Sequence, residues 1–375
     1  MPLRLVTGDT RIEDSAGARQ WVESNAHADC VHRGDCAAFW LDIIEPDPDA
    51  IDWLADHFHF HPLTIEDLRS PNERGKLETY DSYLFLIAHS LSVGPPLAPP
   101  ARVARQAPTS RRKLHAHHQH PHYSAPAESG PAPAPSDQIC GIESHELHAY
   151  LGKSFLVTVH DTPMPPLDKV WGHATEHDSD GDPSSLQHGL DYVLYRLLDN
   201  TVDGYFTTLE ATANQIDYLE DTVIDRPDRG LLEDVFTVKR NLVAIRRQAT
   251  PMREALNELA NPGNPFIHDK HQIFFRDVHN LLVAVYELAD TQRDSTSGVL
   301  DAYLSSVNNN LSVIMKRMTI IATVFMPLSV IVGFGGMNFV KFIPYDNAVM
   351  FWGLMASLVV VPVIMLLWFY RSRWL

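Results

Sequence analysis

Residues 319–339 read TIIATVFMPLSVIVGFGGMNF. The stretch begins apolar and uncharged, then turns glycine-rich and places an amide, Asn338, near its end. A second uncharged run follows closely, AVMFWGLMASLVVVPVIMLLWFY (348–370). A helix needs about 20 apolar residues to cross a bilayer core. The second run meets that length, and the first (318–335) extends a helix that begins well before it. Lys316 and Arg317 precede the first span, and Arg371 and Arg373 follow the second. A hairpin sets both basic ends on one side, which the positive-inside rule makes the cytoplasm. The lipid bilayer is therefore an expected partner. The expected location is the cell (inner) membrane, multi-pass, with both termini cytoplasmic, an external loop at 336–347 and a basic tail at 371–375.

Working outward, the rest of the chain is polar and acidic. Asp and Glu number 47 against 30 Lys and Arg, a formal charge of −17. That balance excludes a nucleic-acid binder, whose footprint is basic. It suits a surface that attracts cations. The three cysteines, Cys30, Cys36 and Cys140, form no CxxC pair and are too few for a disulfide framework, so a reducing compartment is expected for the soluble part. The N-terminus has no basic stretch leading into an apolar one, so no signal peptide is expected. P-loop, serine-elbow and HExxH patterns are absent from the sequence, which points away from an enzyme and from any organic cofactor.

Residues 1–188 read as an α+β cytoplasmic domain, a mixed sheet with helices. CAAFWLDII (36–44), SYLFLIAHSL (82–91) and SFLVTVH (154–160) are apolar runs of strand length. DPDAIDWLADHF (47–58) and HPLTIEDLRS (61–70) have capping residues and helical spacing. IESHELHAYLG reads as a turn leading into the last strand. Residues 93–138, rich in Pro, Ala and His, hold too few large apolar residues to fold alone and read as a disordered insert. Within it, His115, His117, His118, His120 and His122 crowd into LHAHHQHPHY, a composition favouring Zn2+, Ni2+, Co2+ or Cu2+ over Mg2+. The alternative is a tolerated loop of biased composition. Asp178, Asp180 and Asp182 lack the distal Glu of a calcium loop and read as a polar linker in 177–185.

From residue 189 the chain becomes helical. Residues 189–262 hold two helices, 190–225 and one ending at NPGNP (261–265), joined by a turn at Pro227 and therefore antiparallel. The span 265–317 is periodic without a turn signal and runs into the first membrane segment. At about 1.5 Å per residue, the helix from Pro265 to Pro327 would reach about 90 Å. A helix of that length needs partners, in a bundle or an oligomer.

The first membrane span carries a stripe. Ser312, Met315, Thr319, Ala322, Met326, Ser329 and Gly333 recur at alternating steps of three and four. The other face, Ile320, Ile321, Val324, Phe325, Leu328 and Ile331, suits lipid or the second helix. The stripe reads either as small-residue packing in lipid or as the lining of a pore built from several copies. Neither span holds Asp, Glu, Lys or Arg. A proton-coupled carrier needs such a group; a conduit for hydrated ions driven by the membrane potential does not. The field is worth about 2.3 kcal/mol per charge per 100 mV, so about 4.6 for a divalent ion. Gly333, Gly335 and Gly336 let the helix end. Asn338, repeated around an oligomer, would ring the mouth with amide oxygens able to hold the waters that Mg2+ keeps. An ordinary helix C-cap is the other reading of the same residues.

Gly336-Met337-Asn338 after a proline-containing span resembles the signature of the CorA family of divalent-cation transporters. TIIATVFMPLSVIVGFGGMNF is similar to the family's first transmembrane helix, LDAYLSSVNNN to its stalk, KRNLVAIRR and RPD to its cytoplasmic helices, and HPLTIEDL to its N-terminal domain. The resemblance implies a homopentamer with a funnel-shaped cytoplasmic domain, a long helix continuing as the pore helix, and a two-helix transmembrane hairpin. It implies a selectivity filter of Gly336, Met337 and Asn338. It implies constrictions at Met315, Met318 and Met326 and polar relays at Ser312, Thr319 and Ser329, with Ala322 and Gly333 lining the same pore. It implies gating by cytoplasmic Mg2+ bound at Asp277 in FFRDV and at Asp67, with Glu66, in IEDL. Mg2+ is then both transported ion and regulatory ligand, with Co2+ and Ni2+ as further passengers. The chain departs from the family's pattern at Gly335, where members often carry an aromatic residue, and in the outer loop VKFIPYDN, whose only acid is Asp346 and which holds Lys341. The rivals are a member dedicated to zinc, cobalt or nickel, and a membrane-tethered scaffold or signalling protein.

Overall fold

The computed structural model describes residues 3–8, 10–26, 36–70, 74–96, 139–174, 185–225, 227–336 and 348–372. In chain order the elements are β1 (Leu3–Thr7), β2 (Thr10–Ile12), α1 (Ser15–Asn25), β3 (Phe39–Ile44), α2 (Pro48–Phe58), α3 (Pro62–Arg69), β4 (Lys76–Thr79), β5 (Tyr83–Pro96), β6 (Cys140–Gly152), β7 (Phe155–His160), α4 (Pro165–His173), α5 (Ser185–His188), α6 (Leu190–Asp225), α7 (Arg229–Leu259), α8 (Gln272–Gly335) and α9 (Ala348–Arg371). They pack into two units, residues 1–222 with 228–300, and residues 223–227 with 301–375.

The first unit is built on FWLDII and FLVTVH. Both are unbroken apolar runs, as strands buried on both faces should be, and they lie side by side as the parallel pair β3–β7. Every other pairing is antiparallel, in the order β2-β1-β3-β7-β6-β5-β4. Phe39, Leu41 and Ile43 of β3 face a core closed by Ala18 and Val22 of α1, Ile51, Leu54 and Phe58 of α2, and Ile65 of α3. Trp40 faces the opposite way, where Trp171 of α4 meets it edge-on at 4.8 Å. On that side α6 and α7 cover β4 to β6: Tyr205 donates its hydroxyl to His89 O at 2.9 Å, and Asn241 Nδ2 donates to Cys140 O at 2.9 Å. Gly204 permits the close approach of α6, since a Cβ there would stand 2.9 Å from Leu91 O.

A carboxylate is buried on the Trp40 side of the sheet. Asp42 of β3 is fully buried. It accepts from Arg4 Nε at 2.7 Å and from Thr158 Oγ1, and it faces His160 Nε2 at 3.3 Å. Burial pushes its carboxyl up, but His160, Arg4 and Thr158 outweigh that and hold it below the ordinary carboxylate range. Burial in turn favours neutral His160, and Asp42 outweighs it, raising the imidazole. The network ties β1, β3 and β7 together.

Four features differ from the sequence reading. IESHELHAYLG is no turn: it belongs to β6, paired along its length with β5 from Tyr83↔Gly152 to Pro96↔Cys140. The strand β5 continues through a bulge to Pro96, so residues 93–96 belong to the sheet and not to the insert. The elements β1, β2 and α1 precede the first element that the sequence reading placed. Cys36 is disulfide-bonded, while Cys140 is buried and takes part in no disulfide.

The helical part follows the sequence closely. Asp228 caps α7 by accepting from Leu231 N at 2.8 Å. Leu231, Val235, Val238, Leu242, Ile245, Ala249 and Met252 then line its buried stripe. In the second unit, α8 runs through Pro327 to Gly335, and α9 runs through Pro362 to Arg371. Both are long and apolar enough to cross a membrane. Interior prolines are tolerated there because neighbouring groups satisfy the freed carbonyls.

Candidate ion pathway and cytoplasmic acidic site

The predicted stripe lies on one helix and stays uncovered. Ser312, Met315, Met318, Thr319, Ala322, Met326, Ser329 and Gly333 are all exposed, with Met315 at 62%, Met318 at 65% and Met326 at 73%. The opposite face divides. Ile320 is buried and Val324, Leu328 and Ile331 are partly covered, whereas Ile321 and Phe325 are open. The face given whole to lipid or to the second helix is therefore two faces, one covered within the chain and one bare.

The stripe's hydroxyls have a defined polarity. Thr319 Oγ1 donates to Met315 O at 2.8 Å, Ser329 Oγ to Phe325 O at 3.0 Å, and Ser312 Oγ to Asn308 O at 2.9 Å. Each hydrogen is spent on the carbonyl four residues back, a common bond for Ser and Thr in helices. What each oxygen still offers is lone pairs. That is the polarity a cation or its hydrating waters require. The helix ends as expected: Gly336 N donates to Val332 O at 2.9 Å and the chain turns at Gly336. Met337 and Asn338 lie outside the described residues, as do Lys341, Asp346, the Asp178–Asp182 loop and the insert histidines His115 to His122.

The predicted cytoplasmic acids occupy two places in the first unit. Asp67, on α3, makes an ion-pair contact with Lys76 Nζ at 2.8 Å, and Lys76 also reaches Glu78 Oε1 at 3.0 Å. Burial lowers the Lys76 ammonium, but Asp67 and Glu78 outweigh it and raise it. Glu66, next to Asp67 on α3, is exposed. Asp277 is exposed on α8, in the electrostatic neighbourhood of α6. There, burial and the carboxylates of Asp203 and Asp277 push Asp199 up to about 6, against the pull of Arg196 and Lys169. Burial also raises Asp203. Tyr195, one turn before Asp199, is pushed up to about 12 by burial and then by Asp199, with a smaller contribution from Asp277. A carboxylate raised by its acidic neighbours, as Asp199 is, is relieved by a bound cation. The sequence reading named Asp277 and neither Asp199 nor Asp203, which the fold brings into its electrostatic neighbourhood. Their signal was present in the four-residue steps Tyr195, Asp199, Asp203 along one face of α6.

Comparison with known proteins bears on the same residues. The family described as "CorA-like Mg2+ transporter protein" matches residues 37–95 and 131–371. The Cobalt/magnesium transport protein CorA of Thermotoga maritima is 30% identical over 330 residues, covering 87% of this chain and 80% of that protein. The protein of the same name from Methanocaldococcus jannaschii is 26% identical over 236 residues, covering 62% of this chain and 73% of its own. The complete structure of the CorA magnesium transporter from Methanocaldococcus jannaschii superposes with a TM-score of 0.72 at 18% identity, covering 100% of this chain and 99% of the other. The chain belongs to the CorA-like Mg2+ transporter family, and is a divalent-cation transporter of the membrane rather than an enzyme.

Proposed function

We propose that this chain forms a homopentameric, potential-driven Mg2+ channel of the cell (inner) membrane, closed by cytoplasmic Mg2+, with Co2+ and Ni2+ as further substrates. The observation that carries the reading is the stripe from Ser312 to Gly333: it is uncovered along its length, and its hydroxyl hydrogens are tied back to the helix. One chain supplies one such wall, so several copies around an axis make the conduit. Met315, Met318 and Met326 narrow it, and the oxygens of Ser312, Thr319 and Ser329 meet the hydrated ion between them. Gly336, Met337 and Asn338 form the outer filter. Both termini lie in the cytoplasm, consistent with the basic flanks of the two spans.

The gate in this reading is electrostatic. Mg2+ held by Asp277 on one subunit and by Asp67, with Glu66, on the next draws subunits together. Loss of the ion leaves like charges facing one another, and the chain carries −17 overall. The raised Asp199 supports a local excess of negative charge around Asp277.

A second reading, a member dedicated to zinc, cobalt or nickel, is favoured by the histidines of the insert and by the word cobalt in the relatives' names. Family membership favours either reading over a membrane-tethered scaffold. The test is Mg2+ uptake into proteoliposomes under an inside-negative potential, for the native chain and Asn338→Ala, with Co2+, Ni2+ and Zn2+ as competitors. Potential-dependent uptake lost in the variant supports the channel and its filter. No Mg2+ uptake alongside Zn2+ or Ni2+ uptake would move the assignment to the second reading.

A further inference from the structure

Three side chains far apart in sequence meet at one point in the first unit. Asp191 is the second residue of α6, His268 lies in the loop before α8, and His271 immediately precedes α8. One ligand atom from each falls within 4.8 Å of the others. Asp191 and His271 are almost fully buried, at 2% and 3%, whereas His268 is 67% exposed.

The hydrogen bonding there is lopsided. Asp191 Oδ2 faces the His268 backbone N–H at 2.9 Å, His268 Nδ1 at 2.9 Å and His271 Nδ1 at 2.7 Å. Asp191 Oδ1 is buried and has no hydrogen-bond partner. A buried carboxylate oxygen without a partner is costly, and a carboxylate serving only as a hydrogen-bond acceptor would divide the donors between its oxygens. The space beside Oδ1 is kept open by Gly189, whose φ is +123° and where a Cβ would stand 2.7 Å from that oxygen.

We propose that Asp191, His268 and His271 form a binding site for a zinc-class transition-metal ion. Two imidazoles and one carboxylate are the donor set that Zn2+, Co2+ and Ni2+ accept and Mg2+ does not favour. His268 and His271 supply Nδ1, Asp191 supplies carboxylate oxygen, and the His268 backbone N–H steadies that carboxylate from outside the ligand set. A small relaxation suffices, because N–O spacings around a tetrahedral ion are about half an ångström longer than the present 2.9 and 2.7 Å contacts of Asp191 Oδ2 with His268 and His271, given Zn–N of about 2.0 Å. The exposed His268 ring borders a cleft of about 300 Å3 whose walls include Gly152, Lys153, Pro265 and Phe266. The cleft is the entry path and leaves a fourth position to water. The bound ion would pin the first turn of α6 to the start of α8, the helix that runs on into the membrane. This site is separate from the pore and from Asp277, and the proposal stands whichever ion the channel carries.

The experiment uses the full-length chain with His115, His117, His118, His120 and His122 all changed to Gln, which removes the competing imidazoles, in excess Mg2+ to fill carboxylate-only sites. Zn2+ binding is measured by equilibrium dialysis, and Co2+ binding by its visible absorption. One Zn2+ per chain is expected at this site. Affinity should fall at least tenfold to a hundredfold in His268→Gln, the scale that loss of an outer partner already produces. His268 is exposed, so that variant should keep its fold. The unfolding temperature should rise with Zn2+ in the parent and not in the variant. Asp191→Asn gives a second reading of the same loss. Zn2+ binding equal in parent and His268→Gln, or no Zn2+ retained by the parent, would overturn the proposal and leave Asp191 as a plain acceptor for two histidines. No transport is measured, so failure here leaves the channel reading intact, and failure of transport leaves this one.

Discussion

Lys76 sits on an acid that the proposed gate requires. Its ammonium lies 2.8 Å from Asp67 and 3.0 Å from Glu78, with side-chain exposures of 31% for Lys76 and 14% for Asp67. Before Mg2+ can use Asp67 as an inter-subunit ligand, it has to compete with a resident cation. Lys76→Gln removes the competitor and keeps the approximate size. Two unit charges about 4 Å apart attract by about 4 kcal/mol at an effective dielectric of about 20. The pair is partly exposed, and measured exposed pairs contribute about 0.2–1 kcal/mol. An intermediate value of about 1–1.4 kcal/mol corresponds to a five- to tenfold gain in Mg2+ affinity. The assay is flux into proteoliposomes over a range of Mg2+ on the cytoplasmic face. The half-inhibiting concentration should fall five- to tenfold in Lys76→Gln. In an Asp67→Asn background the same substitution should do nothing, which closes the double-mutant cycle. A half-inhibiting concentration that stays put or rises would refute the role given to Asp67. An equal shift in the Asp67→Asn background would locate the effect at Glu78 instead.

Other outcomes follow from the same geometry. Asp42→Asn should destabilise the first unit by about 3–5 kcal/mol, because it strands the buried charge network of Arg4 and His160; denaturant unfolding reads the change. The pH dependence has a definite sign. The contribution of Asp42, whose carboxyl is lowered from 3.8, is present above that value and lost as pH falls through the lowered one. The contribution of His160, raised from 6.5, is present below 6.5 and lost as pH rises through the raised value. The gap between native and Asp42→Asn stability should therefore be widest between these limits and narrow towards alkaline pH. Gly204→Ala should destabilise by about 1–2 kcal/mol despite its better helix propensity, since its Cβ meets the Leu91 carbonyl at 2.9 Å and forces α6 off β5; a neutral or raised unfolding temperature would contradict the close approach. Thr319→Val should cut Mg2+ conductance while leaving the Mg2+ dependence of closure unchanged, because it removes the oxygen presented by the Thr319–Met315 bond and keeps the shape. Unaltered single-channel current would remove Thr319 from the lining.

The β5–β6 pairing explains how the chain carries its long insert. Pro96 and Cys140 are partners at the far end of the hairpin, so residues between them enter and leave the sheet at neighbouring points. Lengthening a connection whose ends are already fixed together costs little, about 0.6 kcal/mol per doubling. A biased His- and Pro-rich segment can therefore be inserted there without disturbing β3 and β7. The sequence signalled the insert by composition but misjudged its first boundary. Val93, Gly94, Pro95 and Pro96 look like linker, and the pairing of Val93 with Ile142 and of Pro96 with Cys140 depends on a strand that follows the insert.

Local signals carried most of the helical and membrane reading. The uncharged runs at 318–335 and 348–370, the alternating three-and-four stripe from Ser312 to Gly333, the punctuation at Pro227 and NPGNP, and the glycines closing α8 are all statements about neighbours within a few turns. Periodicity reports them because a helix repeats every 3.6 residues whatever surrounds it. The sheet was legible where apolar runs were continuous, in β3, β5 and β7. It was illegible in β1, β2, β4 and β6, where pairing with distant strands overrides weak local preference. The same limit applies to the chemistry. Asp277 announced itself inside a motif, but its neighbours Asp199 and Asp203 come from another helix. Lys76 beside Asp67, His160 beside Asp42, and Asp191 between His268 and His271 are meetings of residues set by how helices and strands pack. By itself the sequence determined that the chain from residue 190 onward is helical, which runs are long and apolar enough to cross a membrane, and which face of α8 carries oxygen. The tertiary structure alone decided which charges meet, because close contact between side chains many residues apart is fixed by packing and leaves no period in the chain.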